Sequence, residues 1–442
     1  MIDYNRLLGN YNTTFFSIHL FDEDLSTYVH EYVHHIQNIT TPYGLMYYTS
    51  RLIYLLHTFI TNPDSHLYNS VHRLWKKNKN MIEKVIKQVG NASNFDYHDG
   101  IIEKIEFDKN EKVYNKYGIK IIDNVTIKLR VNDDIKDVFF TVRMIKENMA
   151  RLIQNHCFPQ SCISKNVTYF MIEEVIKKYY PEFPINEQTV VALCDISLVA
   201  DSPIHAFFNF LDYLKRFDSA QINAKFMYEC VENENMTCLY GNFRVTELLD
   251  WQLDKCCKAI DAFYLNFASG TQISNWIKEI CCRGVEFRKN HFSFLSYVMD
   301  NNLSQLESQA LFFRIIEMLG FTIEKDKSNQ FKIPENISLV DFVHLIALEE
   351  YTYKIIDNKN GKTSPCSLKN FCEVYVRNDT VSAGYGTRNI RTATFEDLAG
   401  KDINSVCTAV VSNACDNPFG RNTDNNLCPF TYIRRNIAQA NE

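Results

Sequence analysis

The chain has 442 residues, 46% hydrophobic and 13% aromatic, a composition that builds a large core and excludes a disordered chain. Its 47 Lys and Arg against 53 Asp and Glu give a formal net charge of −6, which offers nucleic acid no electrostatic footprint. The length exceeds that of a usual single core and predicts two or three domains or subdomains.

The first residues, "MIDYNRLLGNYN", have neither the basic start nor the apolar run of a secretory signal, so export is not expected. The fourteen cysteines are diluted in a long chain, a pattern that fits reduced thiols in the cytoplasm rather than a disulfide framework. Residues 22–38, 44–60 and 69–89 read as helices separated by "TTPYG" and "TNPDSH" turns. The most apolar of them, 44–60, carries Arg51 and His57 and is short for a bilayer, so it reads as a buried helix and no membrane is expected. The lysines of 73–88 fall on the solvated face of an amphipathic helix.

At Ile101 the period changes to alternation, and the Val- and Ile-rich segments up to Phe140 predict an antiparallel meander, spanning about 95–140, inserted between helices. Helical spacing resumes over 141–155, 167–180, 187–199, 203–216, 245–267, 272–300, 304–319 and 338–354. The vicinal pairs Cys256-Cys257 and Cys281-Cys282 fall in helical patterns where adjacent side chains diverge, which argues against a four-sulfur site. Cys366, Cys372, Cys407, Cys415 and Cys428 lie in a loop-rich stretch with no C-x-x-C, and "SAGYGTRNIR" (382–391) reads as a turn rather than a phosphate loop. The expected fold class is α+β, predominantly α-helical. Residues 1–320 form a helical body carrying the inserted meander, and a boundary near Gly320 sets off a loop-rich C-terminal unit, 321–442.

Within "STYVHEYVHHIQNITTPYGL" (26–45) stands His30-Glu31-Tyr32-Val33-His34, preceded by Asp22, Glu23 and Asp24, which suit a helix N-terminus, and followed by Pro42 and Gly44. On a helix His30 and His34 are i and i+4 on one face and can reach one metal ion, with Glu31 beside them to act on a water. This H-E-x-x-H string resembles the zincin metallopeptidases. The resemblance implies a zincin-like helical catalytic body, Zn2+ bound by His30 and His34, and Glu31 as the general base that then passes its proton to the leaving amine.

The third ligand fixes the subgroup. Gln37 and Thr40 stand where a metzincin has Gly and His, and no acidic residue occurs between His34 and Asp64. The ligand therefore comes from farther along, or is His57, His66 or His72. Glu147, in "MIKENMARLI", resembles the third-ligand segment of some gluzincins and lies off the apolar stripe of its helix, where it could equally face water. Arg151 and Gln154 occupy the next turn, where the family usually has a supporting acid. The resemblance also calls for a His or Tyr to donate to the oxyanion, for which His205 and His156 are the candidates. His205 sits in "ADSPIHAFF", where Ser202 can cap and Pro203 begin a helix, and it could equally be an exposed first-turn histidine. His35 reads as supporting the metal site or facing solvent.

These residues imply a cytoplasmic zinc metallopeptidase acting on a protein or peptide substrate, with control by a regulatory protein partner or by the 321–442 unit. Two alternatives stand beside it. One is a non-catalytic zinc-binding protein or helical scaffold or sensor; the other is a metal-dependent hydrolase of a non-peptide substrate.

Overall fold

A computed structural model describes residues 8–61, 63–65, 67–89, 100–107, 113–114, 120–122, 124–131, 134–159, 167–233, 235–238, 241–267, 271–327, 331–334, 337, 341–342, 344–349, 352 and 437. The fold is α+β and mainly helical, as the periodicity predicts. It opens with a hairpin absent from the sequence-based expectation, β1 (Gly9–Asn12) and β2 (Ser17–Leu20). The turn between them places Phe16 at φ 51°, a left-handed conformation costly for a bulky residue, and holds it there by burial against His35 and Tyr48.

Asp24 begins α1 (Leu25–Ile39) by accepting the Ser26 N–H, so the helix starts at Leu25 and the acids at 22–24 precede it. Thr41 then caps α2 (Pro42–Phe59), which begins at Pro42, two residues earlier than the 44–60 helix expected. The two helices meet in a turn so tight that a Cβ on Gly44 would lie 2.2 Å from the Gln37 carbonyl oxygen. Next comes α3 (Tyr68–Val89). The meander follows as β3 (Ile101–Phe107), β4 (Val113–Tyr114), β5 (Lys120–Ile121), β6 (Val125–Val131) and β7 (Asp134–Phe139). Strands β3, β6 and β7 form an antiparallel sheet that buries Val125, Ile127 and Leu129 on one face, while Lys128–Asp137 and Arg130–Glu103 ion pairs lie toward solvent.

The helical body continues with α4 (Val142–Cys157), α5 (Val167–Tyr179), α6 (Glu187–Leu198), α7 (Pro203–Leu214) and α8 (Ala224–Asn233). A short hairpin, β8 (Met236–Cys238) and β9 (Gly241–Phe243), leads to α9 (Val245–Phe267) and α10 (Thr271–Asn290). The single helix expected over 272–300 is broken at 291–293, and α11 (Phe294–Val298) resumes with Phe294, Leu295 and Val298 buried. Last come α12 (Gln305–Leu319), capped by a Ser304–Glu307 box, β10 (Ile323–Lys325) and β11 (Phe331–Lys332). In the 338–354 segment, residues 341–342, 344–349 and 352 are helical.

Beyond Gly320 the chain turns back onto the first elements. Strand β10 pairs in parallel with β2, giving a sheet in the order β1-β2-β10-β11, and the Tyr32 hydroxyl of α1 donates to the Gly320 carbonyl at 2.6 Å. The central element is α1, packed against β1, β2, α2, α4 and α10, with all of its residues after Leu25 buried. At its C-terminal end Arg288 of α10 is fully buried, donating to both oxygens of Asp195 and to Thr40, and Tyr228 donates to the same carboxylate. Across α9 and α10, Cys256 lies beside Cys281 and Cys257 beside Cys282, all as free thiols.

No helix among the described residues is long and apolar enough to cross a membrane. His66, the "SAGYGTRNIR" stretch and the five cysteines from Cys366 to Cys428 lie outside the described residues.

Candidate metal centre

The i, i+4 spacing on α1 puts the His30 and His34 rings 5.0 Å apart, and the packing of α4 across α1 brings Glu147 to both of them. Its Oε2 lies 3.2 Å from His30 Nε2 and 3.3 Å from His34 Nε2. The ligand-capable atoms of His30, His34 and Glu147 all fall within 4.8 Å of one another, and they form the one such His/Cys/Asp/Glu group found among the described residues. Of the alternatives for the third position, His57 stacks on Trp75 at 4.5 Å and His72 on Tyr68 at 5.3 Å, away from the group.

The histidine tautomers follow from hydrogen bonds. His34 Nδ1 meets Gln37 Oε1 at 2.9 Å, and the Gln37 amide is oriented by donating to the Lys146 carbonyl at 3.0 Å. His30 Nδ1 meets Gln154 Oε1 at 3.1 Å; the Gln154 amide donates to Ser26 Oγ, whose own proton goes to the capping Asp24. An amide oxygen only accepts, so both Nδ1 atoms carry a proton, and in the neutral imidazoles both Nε2 atoms present lone pairs inward. Two lone pairs and a carboxylate oxygen facing each other at 3.2–3.3 Å repel unless a cation lies between them or the imidazoles are charged. Metal–ligand bonds of about 2.0–2.1 Å in a tetrahedron put donor atoms about 3.3 Å apart, so the two separations from Glu147 suit a bound metal ion such as zinc.

The charges show the same frustration. Burial opposes a charge on His30, yet its bond to Glu147, with Glu31 nearby, holds its pKa above the ordinary imidazole value. Burial likewise pushes Glu147 up, and the two histidines with Arg143, 3.3 Å from Oε1, hold it well below the usual carboxylate range. Glu31 is the reverse case: burial raises its pKa and outweighs the two histidines and a hydrogen bond from the Tyr11 backbone. His30, Glu31 and His34 retain 8%, 7% and 8% exposure, so the centre is enclosed but keeps an opening.

The chain matches no family model, no curated protein and no solved structure.

Glutamines 37 and 154 take the orienting role for which the sequence had offered no acid, while Arg151 and Asn148 are both committed to Glu173. His35 is fully buried rather than facing solvent, bonded through Nδ1 to the Tyr11 hydroxyl at 3.0 Å, and burial pushes its pKa down to about 3. His205 lies in the first turn of α7, buried, with Nδ1 accepting the Ile122 N–H at 3.2 Å; burial, with Lys84, pushes its pKa down to about 4. Ser202 precedes that helix without a capping hydrogen bond. His156 is bonded to Ser308 and lies 3.5 Å from Glu187. None of these contacts of His205 or His156 runs to the triad.

A residue missed in the sequence stands closer. The Tyr169 ring of α5 is 6.0 Å from that of His30, and the charge of Glu147, followed by burial and Glu31, holds its pKa well above the usual tyrosine value. Strand β1 also borders the centre: a Cβ on Gly9 would lie 2.8 Å from Thr27 and 2.9 Å from Glu31 Cγ. No motif announces either feature, because both depend on how distant segments meet.

Proposed function

We propose that this chain is a zinc-dependent metallopeptidase that hydrolyses a protein or peptide substrate in the cytoplasm. The observation that carries the reading is the convergence of His30, His34 and Glu147 with Nε2 lone pairs turned inward, and with Glu31 on the same helix turn. Zinc held there would supply a Lewis acid that acidifies a water and polarises a substrate carbonyl. Glu31, its pKa raised by burial, takes a proton at its carboxylate and returns it to the leaving amine. Tyr169, protonated across the working pH range, donates its hydroxyl to the carbonyl oxygen as negative charge grows there, the role the sequence had offered to His205.

Strand β1 supports a peptide over a non-peptide substrate. It is an outer strand of its sheet, and its Tyr11 backbone reaches Glu31, so an extended peptide can lie along it with main-chain groups at the reacting centre. A purely structural zinc site would need a fourth protein ligand, and no fourth His, Cys, Asp or Glu joins the group among the described residues.

Mass spectrometry of metal content, run beside peptide hydrolysis, tests the reading. About one zinc per wild-type chain, lost in both His34→Ala and Glu147→Ala, is the expected result. Glu31→Gln should keep the metal and lose hydrolysis. Undiminished turnover in Glu31→Gln, or a metal-free wild-type chain under zinc-replete conditions, would refute it. Narrow specificity, or control by a regulatory partner, keeps such an enzyme from damaging its neighbours; indiscriminate proteolysis by the isolated chain would count against that part.

A further inference from the structure

A cavity of about 220 Å³ opens along β1, walled by Asn10 to Asn12 of that strand and Thr13 to Phe15 of the turn after it, by Tyr47 and Arg51 of α2, and by Glu349 and Thr352. One end of β1 abuts the catalytic glutamate, through Gly9, and the other lines the cavity, through Asn12. The lining begins at Asn10, one strand step from Gly9, and three steps to Asn12 span about 10 Å, so the cavity lies within about three peptide residues of Glu31.

The charges on its walls are unequal in their commitments. Glu349 Oε1 receives Asn12 Nδ2 at 2.7 Å and Ser17 Oγ at 2.8 Å and stands 3.3 Å from His19 Nε2. Arg51 makes no hydrogen bond, ion pair or ring contact among the described residues. A second cation continues the same side toward the metal centre: the Lys146 ammonium lies 5.8 Å from the centroid of the Tyr47 ring, which itself lines the cavity. The turn forming the opposite wall is the one that holds Phe16 in its strained left-handed conformation, a feature that concentrates at ligand-binding sites.

An unpaired guanidinium facing a cavity matches a carboxylate, which it can grip with two parallel hydrogen bonds. We infer that this cavity is a specificity subsite that takes an acidic side chain of an extended peptide, within about three residues of the scissile bond, with Arg51 as the group that recognises it. The inference rests on the peptidase reading for its substrate, but its recognition step can be measured without hydrolysis.

The test uses the zinc-loaded full chain carrying Glu31→Gln and fluorescent peptides identical except for Glu, Gln or Lys at each position in turn, read by anisotropy. At one position the Glu peptide should bind about tenfold or more tighter than its Gln counterpart, as for a hydrogen bond to a charged group. Adding Arg51→Ala should erase that difference while the Gln peptide binds as before, which also shows that the variant is folded. Adding Arg51→Glu should turn the preference toward Lys. Equal binding of all three peptides, no binding of any, or an acidic preference that survives Arg51→Ala would overturn the inference. Acid-selective binding that depends on Arg51, in a chain whose wild type hydrolyses nothing, would sink the peptidase reading and leave the subsite standing. Hydrolysis with no charge preference would do the opposite.

Discussion

Two groups of charged side chains are buried against α1, one at its middle and one at its C-terminal end. At the end, Arg288 places all five of its N–H donors: two on Asp195, two on Thr40 and one on the Phe292 carbonyl, and Asp195 takes a further proton from Tyr228. At the middle, His30 and His34 spend their only N–H groups on glutamines and aim two bare nitrogens at one carboxylate oxygen. Both groups are buried, yet the first is complete within the chain and the second is complete only with a cation or with charged imidazoles. Burial of charge alone therefore does not mark a functional site; burial with an unmet requirement does.

The largest effect comes from breaking the complete group. Asp195→Ala strands a buried guanidinium and should cost about 3–5 kcal/mol of stability, measured by urea unfolding, with zinc per folded chain unchanged. A loss under 1 kcal/mol would mean that Arg288 finds other partners. The incomplete group should respond to metal instead. With free zinc at about 100 times its dissociation constant, chelation should lower wild-type stability by about 2.7 kcal/mol and leave Glu147→Ala unaffected. A chelator effect of equal size in that variant would place the metal elsewhere.

Smaller changes sharpen the contrast. Gln37→Ala and Gln154→Ala free the Nδ1 protons and should each weaken zinc binding about 10–100-fold, read by competition with a chromophoric chelator. Unchanged affinity in both would show that the amides do not set the tautomers. Gly9→Ala pushes against Thr27 and the Glu31 side chain, so kcat should fall about tenfold while zinc content stays the same. Full activity in that variant would show that Glu31 tolerates displacement, and that β1 is farther from the reacting atoms than its contacts imply.

That His30, His34 and Glu147 come together could be read before any fold was known, because they lie in elements with strong local signals. The spacing of His30 and His34 is a helical property, and Glu147 stands off the stripe of Val142, Ile145, Met149 and Leu152 that buries α4. The helices fared similarly, since apolar residues recur at their period over many turns. What was hidden depends on contacts between distant parts of the chain. The four residues of β1, "GNYN", carry no alternation of their own and become a strand by pairing with β2. Tyr169 gains its place only when α5 packs on α4, and Gln37, read first as the residue that excludes one zincin subgroup, proved to orient His34. The break at 291–293 eluded the pattern because apolar spacing continues across it, through Phe292, Phe294 and Leu295.

The parallel pairing of β2 with β10 joins residues 17–19 to residues 323–325, so the sheet that carries β1 closes across some three hundred residues of intervening chain. During synthesis, the segments bearing both histidines and Glu147 leave the ribosome long before that strand exists. Closing so long a loop is slow relative to forming local helices. A nascent chain can thus bring His30, His34 and Glu147 together early, while the β1–β2 hairpin beside Glu31 gains its third strand only when β10 emerges. Under the proposed reading, the order of emergence lets the chain hold a metal ion before the sheet beside Glu31 is complete.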